Sequence, residues 1–225
     1  MFSTLLLVSN LALAAVPQQH QVKNILNEKP TARLSSLKSM PQSQRVEALT
    51  ALAKNKQASI RTRWRAITSL AMIDKKRSIP VVEGALSSGH WYLRNAGMVA
   101  IVHADRERAK QWAMHLLKDP ALVVRTAAVQ ALKKLNAVES KESLWQELYS
   151  AKNFKKGKSL WVRRHIVEAL SRFENPGSEK RFLKVLRDQD ESLYPAAIQG
   201  LERVTGKSMQ GSTDHQRLAW MKAIR

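Results

Sequence analysis

The chain has 225 residues, of which 44% are hydrophobic and six are Trp, enough for a sizeable core and too apolar for a disordered tail. Thirty-eight Lys and Arg against eighteen Asp and Glu leave a formal charge of +20, so an anionic counterpart is expected: nucleic acid, an acidic protein, or an anionic polymer or lipid surface. The lack of cysteine excludes disulfide frameworks, thiolate metal sites and cysteine nucleophiles.

In chain order, the first 16 residues, MFSTLLLVSNLALAAV, carry no charge and end near Ala12-Leu13-Ala14, a small-x-small pattern that a signal peptidase accepts. Residues 1–14 read as a secretory signal cut after Ala14 or Ala15, with export to a periplasm or cell exterior. No basic residue precedes the apolar run, the first being Lys23, so an uncleaved apolar first helix in a cytoplasmic protein is the alternative. Past the signal no stretch approaches 18 uninterrupted apolar residues, so no integral membrane span is expected. QVKNILNE, ARLSSLKSM and SQRVEALTALAK then read as short helices separated by Pro30 and Pro41, predicted to cap the fold over residues 18–58.

From there the chain repeats. Arg63, Arg94, Arg125 and Arg163 open similar segments, and Tyr194 opens a fifth, with spacings of 31, 31, 38 and 31. Three positions on stand Ala66, Gly97, Ala128, Ile166 and Ala197; four on, Ile67, Met98, Val129, Val167 and Ile198; seven on, Leu70, Ile101, Leu132, Leu170 and Leu201. Offsets of three, four and seven share one helix face, which predicts a buried stripe. The column six on is uniformly small, Ser69, Ala100, Ala131, Ala169 and Gly200, which favours close helix approach. A second amphipathic run follows each time, SIPVVEGALSS, RAKQWAMHLLKD, ESLWQELYSA and EKRFLKVLRD. The unit is helix, turn, helix, and only stacking buries both apolar faces. Trp112, Trp145 and Trp220 fall on such faces and are expected in the core.

This pattern resembles the HEAT-like repeats of bacterial proteins in their short form of about 31 residues, the repeat type also found in phycobilisome lyases. The fullest match is DPALVVRTAAVQALKKL, Asp119 to Leu135. The resemblance implies an all-α, right-handed α-solenoid with the array over residues 59–204 and a Trp-bearing cap helix in 205–225.

Sites for chemistry are absent from the pattern. TGKSMQG is not a phosphate loop, because five residues separate Gly200 from Gly206 and a helix precedes it; Gly206 is expected to end that helix in a left-handed turn. The six histidines make no metal-ligand pair, and His165 reads as a semi-buried packing residue. Asp188, Asp190 and Glu191 sit in an inter-helix turn, where capping accounts for them. No catalytic residue, metal or cofactor is predicted.

The arginine column is the sharpest feature. In HEAT-like arrays an Asp six residues before the Arg supports a ladder of ion pairs between repeats. Asp119 stands there before Arg125, but Gln57, Ser88 and Gly157 stand before Arg63, Arg94 and Arg163, leaving those guanidinium groups to backbone carbonyls or to an external anion. Trp64, Trp91, Tyr92 and Trp161 gather beside the same anchors. The 38-residue spacing places an insertion around AKNFKKGKSLW, with Lys152, Lys155, Lys156 and Lys158 about Phe154. Insertions in repeat arrays map to loops on one face, often the binding face. The expectation is a non-enzymatic scaffold or adaptor holding an acidic partner protein through Lys152, Phe154, Lys155, Lys156, Lys158, Arg163 and Arg164, with Arg63, Arg94 and Tyr92 as further contacts. A nucleic-acid binder, including the HEAT-like DNA glycosylases, is the alternative, and a bilin-lyase relative is a third.

Overall fold

The structure, a computed structural model, describes residues 18–224. The predicted signal lies outside them. The fold is all-α, of the helical-repeat solenoid class, and the described residues fall into two compact units, one ending at Ala109 and the other starting at Lys110. No helix among them is long and apolar enough to cross a membrane.

In the first unit, helical residues 18–25 (α1) lead into α2 (Pro30–Ser39), α3 (Gln42–Lys54), α4 (Ile60–Ile73), α5 (Lys75–Leu86) and α6 (Trp91–Ala104). Helix α4 packs on α3, α5 and α6, and α5 packs on α6. The starts are sharply specified. Ser59 accepts from the Thr62 N–H at 3.1 Å and Asp74 from the Arg77 N–H at 3.0 Å, each satisfying a donor that the first turn leaves open.

Helix α7 (Arg106–Leu116) is followed in the second unit by α8 (Leu122–Leu135), α9 (Lys141–Leu148), α10 (Val162–Phe173), α11 (Glu179–Leu186), α12 (Tyr194–Thr205) and α13 (Thr213–Ala223). Helix α10 packs on α8, α9 and α12, and α12 on α11 and the closing α13. Gly206, at φ 68°, ends α12 in the left-handed conformation expected of it, and Asn136, at φ 53°, ends α8 the same way.

The three predicted columns are the core. Leu70, Ile101, Leu132, Leu170 and Leu201 are each 0% exposed, worth about 1.5–3 kcal/mol apiece for a buried leucine or isoleucine. Two positions on these faces are glycine because of what lies against them. A Cβ on Gly200 would come within 2.5 Å of the Phe182 ring of α11, and one on Gly97 within 2.8 Å of Leu86 Cγ of α5. Trp145 and Trp220 are buried as expected, whereas Trp112 is only half-buried, its ring edge-on to His115 at 5.9 Å.

The array also extends one step further toward the N-terminus than the sequence suggests. Arg33 lies on the first turn of α2, thirty residues before Arg63, and donates from Nη2 to the Glu28 carbonyl at 3.0 Å. Helix α2, expected to be part of a cap, thus carries the same anchor.

Candidate functional site

Every anchor sits on the first turn of its helix, and Arg94, Arg125 and Tyr194 reach back to the chain just before it. Arg94 Nη1 donates to the carbonyls of Ser88 and Gly89 at 2.9 and 3.0 Å, and Arg125 Nη1 to those of Asp119 and Pro120 at 2.8 and 2.9 Å. Tyr194, in the arginine's place, donates its hydroxyl to the Asp188 carbonyl at 2.6 Å. These three are turn clamps: a long donor closes the turn preceding its own helix, whose carbonyls otherwise have no helical partner.

The same turns also serve the neighbouring repeat. Asp188, whose carbonyl clamps Tyr194, sends its carboxylate to Arg163 one repeat earlier, pairing with Nη2 and lying 3.3 Å from Nη1. Arg163 is 0% exposed. Its Nε donates to the Leu148 carbonyl at 2.9 Å and its Nη1 to Ser159 Oγ at 3.0 Å, while its guanidinium stacks over the Phe154 ring at 4.4 Å. This corrects the expectation that Arg163 lacks a carboxylate and is available to a partner: its mate stands 25 residues after it, not six before. Burial pushes the Asp188 carboxyl upward, but the hydrogen bonds from Arg163 and the backbone N–H of Asp190 outweigh it, so Asp188 titrates below its ordinary value.

The insertion is an ordered hairpin. A 3-10 turn (Ala151–Asn153) leads into β1 (Phe154–Lys155) and β2 (Lys158–Ser159), paired antiparallel with Lys155 opposite Lys158. Lys156 and Gly157 both have positive φ, 51° and 75°, the type I′ geometry that matches strand twist. Arg125 holds the base, donating to Asn153 Oδ1 at 2.9 Å and to the Lys152 carbonyl at 2.7 Å, and Asn153 donates to the Glu147 carbonyl at 2.7 Å. Burial lowers the pKa of Arg125 against the opposing charges of Asp119 and Glu147.

The predicted contact residues therefore separate into two sets. Lys155, Lys156 and Lys158 are exposed, and their side chains have no hydrogen-bond or ion-pair partner among the described residues. Lys152 instead donates to the Lys118 carbonyl at 3.1 Å, and Phe154 is half-buried beneath Arg163 rather than presented outward. Arg164 is exposed but bonded to Glu168 at 3.1 Å, which His165 also meets at 3.3 Å. Arg63, Arg94 and Tyr92 belong to the first unit, with the Tyr92 hydroxyl accepting from Arg63 Nη1 at 3.3 Å. Trp161 bonds Thr126 Oγ1 at 2.8 Å yet remains 62% exposed.

Beside β2 lies an open cleft of about 580 Å³, lined by Lys158 and Ser159 on the hairpin and by Arg187, Asp188, Gln189 and Asp190 across from it. Arg187 was not foreseen. It is exposed, its side chain has no bonded partner among the described residues, and it comes from the end of α11. Asp188 is neutralised by Arg163, and Asp190 accepts from the Ser192 N–H at 3.1 Å.

The chain matches no protein-family model and no curated protein. Among solved structures it is similar to an engineered protein, a Northeast Structural Genomics Consortium target, with a TM-score of 0.51 and 15% identity over 84% of this chain and 98% of that one. That likeness is one of fold alone.

Proposed function

We propose that the protein is a non-enzymatic binding protein of the HEAT-like type that holds an acidic protein partner on the hairpin face of its second unit. The observation that carries the reading is the fixed display of cations. Lys155, Lys156 and Lys158 project from a hairpin clamped by Arg125, with Arg187 across the cleft, and none of the four is engaged by a carboxylate of the described chain. A clamped display loses less conformational entropy on binding than lysines on a floppy loop, and the exposed Trp161 ring supplies a flat apolar contact nearby in sequence. The uncharged run ending in Ala12-Leu13-Ala14 supports export, which the N-terminal residue of the natural protein tests.

The experiment uses immobilised poly-glutamate and, in parallel, duplex DNA. Poly-glutamate is expected to bind the full chain with an affinity that falls as salt rises, because such contacts are screened over about 8 Å at physiological ionic strength. Replacing Lys155, Lys156, Lys158 and Arg187 by Ser slows association while leaving the denaturation midpoint in place. Tighter binding of the duplex at physiological salt overturns the reading in favour of a nucleic-acid ligand.

A further inference from the structure

Arg63 lacks the ion pair that completes Arg163, and it also lacks the amide and the three carbonyls that surround Arg125. At Arg94, Arg125 and Tyr194 the residue six before the anchor clamps it with its carbonyl, and at position 188 the same residue's carboxylate serves the preceding repeat. The position that corresponds for Arg63, 25 residues on, is Ser88. Its carbonyl clamps Arg94, but its hydroxyl only accepts from the His90 N–H at 3.2 Å, and it has no carboxylate to offer. Arg63 donates from Nε to the Ala53 carbonyl at 3.1 Å and from Nη1 to Tyr92; Nη2 makes no hydrogen bond, and no carboxylate of the described chain pairs with it.

This half-buried cation lines a cleft. About 220 Å³ lies between α3, α4, α5 and α6, with Lys54 and Arg63 at one side and Ile67, Val81 and Leu93 among its apolar walls. Lys54 is exposed and likewise has no partner among the described residues. Gly84 leaves the α5 wall open, since a Cβ there would meet nothing within 4 Å. The space is worth roughly seven waters at about 30 Å³ each, the size of one amino-acid residue.

We infer that the Lys54–Arg63 cleft of the first unit is a binding site for the free C-terminal carboxylate of a protein partner whose last residue is apolar. Two cations and an apolar wall in a residue-sized space match a group that carries carboxylate and alkyl side chain on one carbon. An internal Asp or Glu fits less well, because it would draw two flanking peptide groups into an apolar cleft without hydrogen-bond partners. The incoming carboxylate takes the place at Arg63 that Asp188 takes at Arg163. The site does not depend on the hairpin of the second unit, and hairpin variants leave it intact.

Calorimetry with N-acetyl-Gly-Gly-Ala-Leu tests it on the full chain. The free acid is expected to bind, and the same peptide with a C-terminal amide to bind roughly tenfold more weakly or worse, the scale of a lost charge-assisted hydrogen bond. Ser88→Asp supplies an internal carboxylate to Arg63 and is expected to weaken the free acid by a similar factor while raising the thermal midpoint. Gly84→Leu fills the cleft without touching Arg63 and is expected to abolish binding. No binding of the free acid, equal binding of acid and amide, or wild-type affinity in a folded Gly84→Leu protein overturns the site. Hexanoate binding as tightly as the peptide overturns the assignment to a chain terminus and leaves a short free acid as the ligand.

Discussion

Arg63 and Arg163 occupy the same place in two repeats, and the chain finishes one and not the other. Around Arg163 a carboxylate, a carbonyl, a hydroxyl and an aromatic face converge, and the guanidinium is sealed from solvent. Around Arg63 a carbonyl and a tyrosine hydroxyl suffice and no carboxylate arrives; both arginines border a cleft, but only Arg63 reaches its cleft with its charge unmet. An anchor complete within the fold is structure; an anchor left incomplete beside a cavity is a site. The arginine column as a whole is thus neither a binding stripe nor a uniform ladder, and each member is decided by what the next turn supplies.

The largest test of this contrast is removal of each guanidinium. Arg163→Ala empties a buried site and leaves the part-buried Asp188 carboxylate and the Leu148 carbonyl without their donor, and a loss of about 3–5 kcal/mol is expected from denaturant unfolding. Arg63→Ala loses two hydrogen bonds from a half-buried guanidinium to neutral acceptors and strands no carboxylate, so a smaller loss, about 1–3 kcal/mol in all, is expected. Equal losses at the two positions break the comparison. Glycines sharpen it next. Gly200→Ala drives a methyl into the Phe182 ring and is expected to cost about 1–3 kcal/mol, whereas Gly84→Ala points into open space on a helix and is expected to stabilise by about 0.5–1 kcal/mol. The smallest effect concerns acid. The native carboxyl of Asp188 titrates below its ordinary 3.8, so the pair's contribution is complete above that value and is lost as pH falls through the native one. Amide exchange in α10 and α11 is therefore expected to quicken on acidification below about pH 4 by more in the wild type than in Asp188→Asn. An identical acid response in both proteins removes the pair from the comparison.

How much of this the sequence disclosed depended on range. The columns after each anchor were legible because helical periodicity confines a buried face to offsets of three, four and seven, and those residues are indeed the core. The ion pair at Arg163 was not, because the local pattern points six residues before the anchor while the partner stands in the following repeat, a relation that only stacking reveals. The two-residue strands of the insertion are too short to alternate visibly, and Lys156-Gly157 is not one of the dipeptides that mark a hairpin turn. Arg187 went unnoticed because it joins the cleft from another helix, and Arg33 because the columns after it, Ser36, Leu37 and Met40, only loosely follow the later copies.

The Arg163 node also bears on how this chain can drift. Leu148, Phe154, Ser159 and Asp188 meet on one side chain, so the insertion and its arginine form a single heritable character. Trimming the spacing from 38 back to 31 removes Phe154 and Ser159 from the guanidinium at a stroke, and replacing Arg163 alone leaves the hairpin over an unpaired acid. Related chains that carry the longer spacing are accordingly expected to keep Arg at this anchor and Asp 25 residues beyond it. Those with the shorter spacing are free to vary at both positions.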